Sequence, residues 1–408
     1  MEKNRDSAKS SMAKEASSSE RLLYLVAIIV IGFNLRPAIT SVGPLLGTIR
    51  DQIGLENWSA GTITSLPLIA FAVVSPLAPK FGRRLGNEGA VFLGLILLFV
   101  GIGIRSIPYT STLFIGTAII GVGIAVMNVL LPAVIKEKFP HRVGRMTSVY
   151  STSMAIFAST ASGLSVPLAQ GAGLGWELAL LSWAVLAIIG IIVWAFVLRQ
   201  KQTPEEDQVE LSSRSFNDGN LWKSPLAWQV TLFMGLQSFI FYVIVSWLPE
   251  IMQSYGFSVS AAGWLVAYIQ FVGLPATFLA PVLAEKFSNQ QGIVLGIGGG
   301  AAIGFIGLLI GGPLPLIFVW VTLIGVVFGG AISLSLAMLG MRARNGQQAG
   351  ALSGMAQSIG YIFAAIGPLL IGLLFDITHT WNSALIAIII VCLLMILAGL
   401  GAGRNRYV

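Results

Sequence analysis

The residue with the clearest chemical potential is Arg36, which lies inside the first apolar stretch of the chain. It stands 15 residues after Arg21 and 14 residues before Arg50, which is about 21–22 Å from either end at a rise of 1.5 Å per residue. No Asp or Glu occurs in the middle of any apolar segment. A guanidinium in this position can hold a carboxylate or a similar small anion through its fork of N–H donors. The alternative is that Arg36 donates to helix carbonyls and that nearby glycines only allow close helix packing.

The residues around Arg36 favour a pocket. On a continuous helix, four small residues lie within about 40° of its direction, namely Gly32, Thr40, Gly43 and Gly47. Pro37 removes a backbone donor and can kink the helix beside the arginine. Asn34 points about 160° away, so we expect it to serve helix packing.

Other polar side chains interrupt the apolar segments, where they usually face a cavity or another helix. Beside Arg36 and Thr40, the candidates for substrate contact are Asn128, Tyr150, Gln237, Tyr242, Gln270, Gln357 and Tyr361. For each of these seven residues, an interhelical hydrogen bond is the alternative role. Gln237 and Tyr242 lie about 140° apart on a helix, so we expect only one of them to face the substrate.

Residue types that support catalysis or metal binding are sparse. The single cysteine, Cys392, cannot form an intramolecular disulfide, and His141 and His379 have no neighbours at metal-ligand spacing. No Gly-Lys dipeptide occurs, so the phosphate-binding loop of an ATP-driven pump is absent from this chain. We therefore expect no enzymatic activity, no cofactor and no metal. Glu250 and Asp376, near the outer ends of their helices, are candidates for proton uptake, and solvated helix-end carboxylates are the alternative.

The segments that position these residues are strongly hydrophobic. Of the 408 residues, 55% are hydrophobic and 10% are charged, and the mean hydropathy is +0.84, whereas a soluble domain has about 25% charged residues. This composition excludes an ordinary cytosolic enzyme and a nucleic-acid-binding domain. Segments of about 20 apolar residues predict an all-α membrane protein with twelve transmembrane helices, at 22–49, 58–79, 87–105, 111–135, 143–169, 174–198, 224–253, 259–284, 291–312, 313–341, 347–376 and 381–403.

The basic residues predict the orientation, because cytoplasmic loops collect Lys and Arg. With the N-terminus inside, 21 of the 24 basic residues fall in cytoplasmic segments, Arg50 and Arg105 fall in outer loops, and Arg36 falls in the first span. We expect a multi-pass protein of the plasma (inner) membrane with both termini cytoplasmic. The net charge of +7 reflects this topology and indicates no nucleic-acid partner.

The two halves of the chain resemble each other. Four landmarks recur at an offset of 205 or 206 residues, beginning at Ser41 and Ser246, Leu77 and Leu283, Gly144 and Gly350, and Trp176 and Trp381. They predict two six-helix bundles in the same orientation, with a substrate site at their interface near the midplane. The expected division is a cytoplasmic tail (1–20), a first bundle (21–198), a cytoplasmic linker (199–223), a second bundle (224–403) and a short tail (404–408). A monomer is expected, since one chain supplies both halves of the cavity.

Twelve spans, two repeated halves and a basic loop after the second span resemble the major facilitator superfamily. The loop ends in Gly82-Arg83-Arg84, as the family's loop motif does, and the resemblance implies that Arg83 and Arg84 form an inner gate against the neighbouring bundle. Pro79 stands where the motif has an acidic residue, which is a departure from the family pattern.

The segment from Asn34 to Leu46, with Arg36-Pro37 near its start, is similar to the signature of the cyanate-porter branch, which includes cyanate and 2-nitroimidazole transporters. The resemblance implies a central cavity lined chiefly by spans one, four, seven and ten, with alternating access by rocking of the halves. Arginines expected in spans two and eight of a nitrate/nitrite porter are absent. The Gly-Pro-x-x-Gly-Gly pattern of drug antiporters is missing from span five.

Together these features predict a secondary transporter for a small anionic or polar planar solute, with Arg36 as the substrate anchor. Its expected partners are the small-molecule substrate, membrane lipids and protons as a candidate coupling ion. One alternative is a proton-coupled multidrug efflux antiporter in which Arg36 is structural. Another is a membrane sensor with a transporter fold, although no appended soluble domain supports that function.

Overall fold

The computed structural model describes residues 20–54, 57–200 and 221–408 of the chain. Within these ranges all regular structure is helical. Eleven helices are long and apolar enough to cross a membrane, and one bent helix pair raises the number to twelve. The predicted all-α architecture is confirmed. The predicted tail 1–20 and linker 199–223 lie almost wholly outside the described residues, so these domain boundaries stay predictions.

We number the spans in chain order. The first six are α1 (Glu20–Leu45), α2 (Asn57–Val74), α3 (Asn87–Arg105), α4 (Thr110–Lys138), α5 (Val143–Gly171) and α6 (Gly175–Gln200). The second six are α7 (Pro225–Ser254), α8 (Val259–Lys286), α9 (Gln291–Ile310), α10 (Leu314–Met341), α11 (Gly346–Thr378) and α12 (Trp381–Ala402). The predicted bounds of α3 to α12 lie within three residues of these. Short helices follow the first two spans, at Leu46–Ile53 and Ala78–Leu85.

Two spans that the sequence presented as continuous are interrupted, and proline lies at both interruptions. α1 is helical to residue 34, breaks at Leu35 and Arg36, and resumes as a short turn at Pro37–Thr40. α2 ends at Val74, and the Ala78–Leu85 helix continues at an angle of 58°. Since proline has no N–H and clashes with the preceding turn, it favours a break or a bend of the helix at each of these places.

The connection between α9 and α10 is a glycine turn. Gly311 and Gly312 have φ angles of 78° and 130°, which glycine adopts without the steric penalty that other residues meet. Pro313 follows as the N-cap of α10. The turn predicted from the Gly-Gly-Pro sequence is therefore confirmed.

The same helix pairings occur in both halves. α2 and α3 pack against α4, just as α8 and α9 pack against α10, and α3 packs against α6 as α9 does against α12. The contacts between the halves repeat as well, because α2 meets α11 and α8 meets α5. Each pairing recurs six spans later, so the two bundles are parallel repeats, as the sequence landmarks predicted.

Within the first bundle, α3 and α4 approach closely through glycines. A Cβ atom would come within 3.0 Å of the opposite helix at each of four positions, Gly94, Gly101, Gly116 and Gly123. This approach buries Arg105, which is the last residue of α3 and is 1% exposed. Its predicted place in an outer loop is wrong, because Gly116 of α4 packs directly on the Arg105 backbone.

Candidate functional site

Two cavities that share lining residues lie between the bundles. The first has a volume of about 20 Å³, which is room for about one water molecule, and the second has a volume of about 110 Å³. Arg36, Met154, Phe241 and Ile332 line both. Spans α1, α4, α7 and α10 contribute as the family resemblance implied, and α5, α8 and α11 complete the walls.

Most of the predicted site residues come together here. Eight of the nine line one or both cavities: Arg36, Thr40, Asn128, Gln237, Tyr242, Gln270, Gln357 and Tyr361. The exception is Tyr150, which is buried and lines neither cavity. Its backbone packs against Gly32, where a Cβ would lie 2.8 Å from the Tyr150 carbonyl oxygen. Packing between α1 and α5 therefore buries Tyr150, whose side chain lies close to Tyr361 without lining either cavity.

The Arg36 guanidinium meets aromatic hydroxyls rather than a carboxylate. It lies beside the hydroxyls of Tyr242 of α7 and Tyr361 of α11, which line the same cavity. Within the part of the chain that the structure describes, no Asp or Glu forms an ion pair with Arg36. Neither cavity has a carboxylate in its lining. The positive charge of Arg36 thus lies between the bundles without a compensating negative charge.

The break in α1 sets the position of Arg36. Its backbone leaves the helical region, with φ −127° and ψ −38°, and its carbonyl oxygen accepts the N–H of Thr40 at 3.0 Å. The Thr40 hydroxyl donates to the Ala158 carbonyl of α5 at 3.0 Å, which ties the turn to that helix. Asn34 donates to the Leu186 carbonyl of α6 at 3.0 Å, in agreement with its predicted packing role.

Gln237 and Tyr242 both line the first cavity, so the expectation that only one of them faces it is wrong. The α7 lining consists of Met234, Gln237, Ser238, Phe241 and Tyr242. This i, i+3, i+4, i+7, i+8 spacing covers one broad face of a helix. Gln237 and Tyr242 occupy its two edges, and their separation is consistent with a shared cavity.

Two amides of the site are engaged by neighbouring groups. Gln357 Nε2 donates to the Asn128 carbonyl at 3.0 Å and to Ser353 Oγ at 2.8 Å. Gln237 Nε2 donates to Ser238 Oγ at 2.8 Å. The first of these bonds joins α11 to α4, so Gln357 connects the two bundles beside the cavity.

The aromatic wall of the site was not predicted from the sequence. The Phe241 ring lies 4.9 Å from the ring of Phe328 and 5.1 Å from that of Tyr242, measured between centroids. A phenylalanine in a transmembrane helix is typical of ordinary packing, and only its place beside Tyr242 pointed to the cavity. Together with Met154 and Ile332 it gives the larger cavity an apolar lining.

At one end of the molecule the bundles are in direct contact. We call this the linker end, defined by residues 80–86, 136–145, 286–290 and 342–346. The side-chain Nε of Arg145 lies 3.0 Å from Glu285 Oε1, and the backbone N–H of Arg145 donates to Glu285 Oε2 at 2.8 Å. Gly144 packs so closely on α8 that a Cβ would lie 2.2 Å from the Pro281 carbonyl oxygen. These contacts join α5 to α8 across the boundary between the halves.

The remaining predicted polar residues lie elsewhere. Arg83 and Arg84 are exposed on the short helix Ala78–Leu85, which contacts α11, and their role in an inner gate stays a prediction. Glu250 and Asp376 are exposed and line neither cavity. No group of three or more His, Cys, Asp or Glu side chains able to hold a metal occurs among the described residues.

The family model of the Major Facilitator Superfamily matches residues 23–365. The chain therefore belongs to this superfamily, and it is a multi-pass membrane transporter rather than an enzyme.

Three bacterial transporters show similar sequences over most of the chain. The uncharacterized transporter YycB of Bacillus subtilis (strain 168) is 50% identical over 384 residues, covering 94% of each chain. The 2-nitroimidazole transporter of Escherichia coli (strain K12) is 41% identical over 392 residues, covering 96% of this chain and 98% of that protein. The cyanate transport protein CynX of the same strain is 25% identical over 358 residues, covering 88% and 91%. The resemblance to the cyanate-porter branch is confirmed.

Among solved structures, the proton:xylose symporter XylE superimposes with a TM-score of 0.76 at 15% identity, covering 94% of this chain and 95% of that one. At this level of identity the likeness concerns the fold. It confirms the predicted major facilitator architecture.

Proposed function

We propose that this protein is a secondary transporter that moves a small anionic or polar planar solute across the plasma membrane by alternating access. The observation that carries the proposal is the Arg36 guanidinium in the inter-bundle cavity, where the described residues provide no carboxylate partner. A charge removed from water is stabilised only when it is paired or hydrogen-bonded. A solute with negative charge or strong acceptor atoms supplies that pairing each time it binds.

The chemistry of the cavity supports a small planar solute. A volume of about 110 Å³ is somewhat below the roughly 150 Å³ of an apolar cavity that holds benzene. The ring faces of Phe241 and Phe328 suit a flat π-system, and the guanidinium fork suits a planar pair of acceptor atoms. Two similar transporters are named for 2-nitroimidazole and cyanate, which are both small molecules with strong hydrogen-bond acceptor atoms.

In this proposal the structure represents the state that is closed at the linker end. We assign that end to the cytoplasm because it carries most of the Lys and Arg residues. To release solute on that side, α5 must separate from α8. The Arg145–Glu285 pair opposes this only weakly, since the Arg145 side chain is 54% exposed and exposed ion pairs are screened by water.

Binding to the purified protein tests the proposed anchor. We expect 2-nitroimidazole and cyanate to raise the melting temperature of the wild type, and Arg36→Gln to weaken both affinities at least about tenfold. The matched control is Arg50→Gln, which removes an exposed arginine paired with Asp51 and should bind as the wild type does. Wild-type affinity and transport in a folded Arg36→Gln protein would overturn the proposal.

Competition separates this function from drug efflux. We expect cyanate to compete with radiolabelled 2-nitroimidazole for uptake into proteoliposomes, and tetraphenylphosphonium to compete poorly, because a cation meets the like charge of Arg36. Strong competition by tetraphenylphosphonium with none by cyanate would instead support the multidrug antiporter.

A further inference from the structure

Arg105 is a second buried cation that the proposed function does not use. It is the last residue of α3 and is 1% exposed. Its Nη1 donates to the Ala38 carbonyl oxygen at 2.5 Å, and in the described part of the chain its Nε and Nη2 have no hydrogen-bond partner. No described carboxylate forms an ion pair with it.

The carbonyl that Arg105 binds belongs to the broken segment of α1. In a continuous helix the Ala38 carbonyl would accept the N–H of Val42, but Val42 donates to the Ile39 carbonyl at 3.3 Å. This leaves the Ala38 carbonyl without its usual helical donor. In a membrane such a group must be satisfied inside the protein, and here the donor comes from α3.

A buried guanidinium is a costly way to satisfy one carbonyl. A charge removed from water is costly unless its donors are paired, and among the described residues only one of the three guanidinium nitrogens has a partner. The same turn is tied to α5 by a neutral hydroxyl, that of Thr40. The position of Arg105 is also tightly constrained, because a Cβ on Gly116 would lie 2.4 Å from the Arg105 backbone nitrogen. The turn Pro37–Thr40 is therefore held from two sides, by α3 and by α5.

We propose that Arg105 is a positioning residue for substrate binding: it holds the turn Pro37–Thr40 through the Ala38 carbonyl and so sets the direction in which Arg36 enters the cavity. This inference rests on the proposed function of Arg36. Ala38 lies two residues after Arg36, so a shift of the turn moves the guanidinium directly. A displacement of the guanidinium by about 1 Å is enough to weaken a contact that depends on precise geometry by a large factor.

Two substitutions test the role. Arg105→Met keeps an unbranched apolar stem but has no donor and no charge, whereas Arg105→Lys keeps a donor and the charge. The dissociation constants are measured for cyanate, an anion, and for 2-nitroimidazole at a pH where it is uncharged, together with the melting temperature without solute. We expect Arg105→Met to raise both dissociation constants by a similar factor of about ten. We expect Arg105→Lys to bring both dissociation constants back to within about threefold of the wild-type values.

The two solutes separate positioning from other roles. If only the binding of cyanate became weaker, Arg105 would act through its charge. A lower melting temperature with unchanged dissociation constants would mean that Arg105 only stabilises the fold. Either result would overturn the inference. Should Arg105→Met fail to fold, Arg105→Gln takes its place, because its neutral amide is shorter than the guanidinium side chain and falls short of the Ala38 carbonyl. Equal weakening of the binding of both solutes then supports positioning, and unchanged binding of both contradicts it.

Parallel measurement of Arg36→Gln keeps the two proposals distinguishable. Normal binding by Arg36→Gln would remove the proposed anchor itself. Loss of binding by Arg36→Gln, with normal binding by Arg105→Met, would leave the anchor in place and refute only the positioning role of Arg105.

Discussion

Arg36 and the two tyrosines near it form a site with charge of one sign only. The hydroxyls of Tyr242 and Tyr361 lie beside the guanidinium, and a neutral phenol can accept from its donors without cancelling the charge. A carboxylate in this place would neutralise Arg36 permanently and compete with an anionic solute. The choice of hydroxyls therefore keeps the arginine hydrogen-bonded in the empty transporter and available to the solute.

The Tyr242 hydroxyl offers a direct test of this arrangement. In Tyr242→Phe the guanidinium loses a partner that orients it, and we expect affinity for 2-nitroimidazole to fall about 3–10-fold, as for loss of one net hydrogen bond. Tyr268→Phe is the matched control, because the Tyr268 hydroxyl bonds to Thr322 at 2.8 Å within the second bundle and lines neither cavity. Equal affinities in the wild type and Tyr242→Phe would show that the hydroxyl has no part in binding.

At the scale of the helices, α5 and α8 come into close contact at the linker end. A Cβ on Gly144 would overlap the Pro281 carbonyl oxygen, at 2.2 Å. The repeat supplies a counterpart, Gly350, where the nearest atom to a Cβ would be the Ala133 Cβ at an ordinary 3.6 Å. The two glycines occupy equivalent places in the halves but differ in how closely a neighbour approaches.

This difference predicts unequal effects of the same substitution. Gly144→Ala should prevent full closure of the linker end, whereas Gly350→Ala should be tolerated. We expect transport of 2-nitroimidazole to fall at least about tenfold in the first and to stay near the wild-type rate in the second. A cysteine introduced at Ala349, which is fully buried, should react with maleimide faster in the Gly144→Ala background. Equal transport and labelling in the two backgrounds would contradict the proposed closure.

For the whole molecule, the repeated pairings suit the proposed alternation of the chain between two states. The contacts of α2 with α11 and of α5 with α8 are related by the exchange of the two halves. In the proposed rocking motion, the contact of α2 with α11 and the contact of α5 with α8 therefore change in the same way. Parallel repeats with a shared central site are well suited to such a motion.

The orientation of the molecule in the membrane follows from its basic residues and can be checked in intact cells. Gln52 and Asn405 are both exposed and lie at opposite ends of the molecule. A membrane-impermeant maleimide should label Gln52→Cys from outside and leave Asn405→Cys unlabelled until the cells are opened. The native Cys392 is buried, so the parent protein is the control. Labelling of Asn405→Cys in intact cells would reverse the proposed topology.

The sequence alone determined the number of spans, most of their bounds, the internal repeat and eight of the nine residues proposed to line the site. These features depend on local hydrophobicity and on polar residues in apolar segments, and both are properties of the segments themselves. A charge such as Arg36 is costly in lipid, so its presence in a span already indicated a cavity.

Only the tertiary structure decided how the helices meet. The burial of Arg105 and the exclusion of Tyr150 from the cavity lining each depend on contacts with a helix far away in the chain. A helical wheel drawn for a continuous α1 gives the wrong directions for the residues after the break. No local sequence pattern shows that Gly116 brings α4 onto the end of α3. Side-chain placement in a bundle is set by the close approach of distant helices, and that approach exists only in the folded molecule.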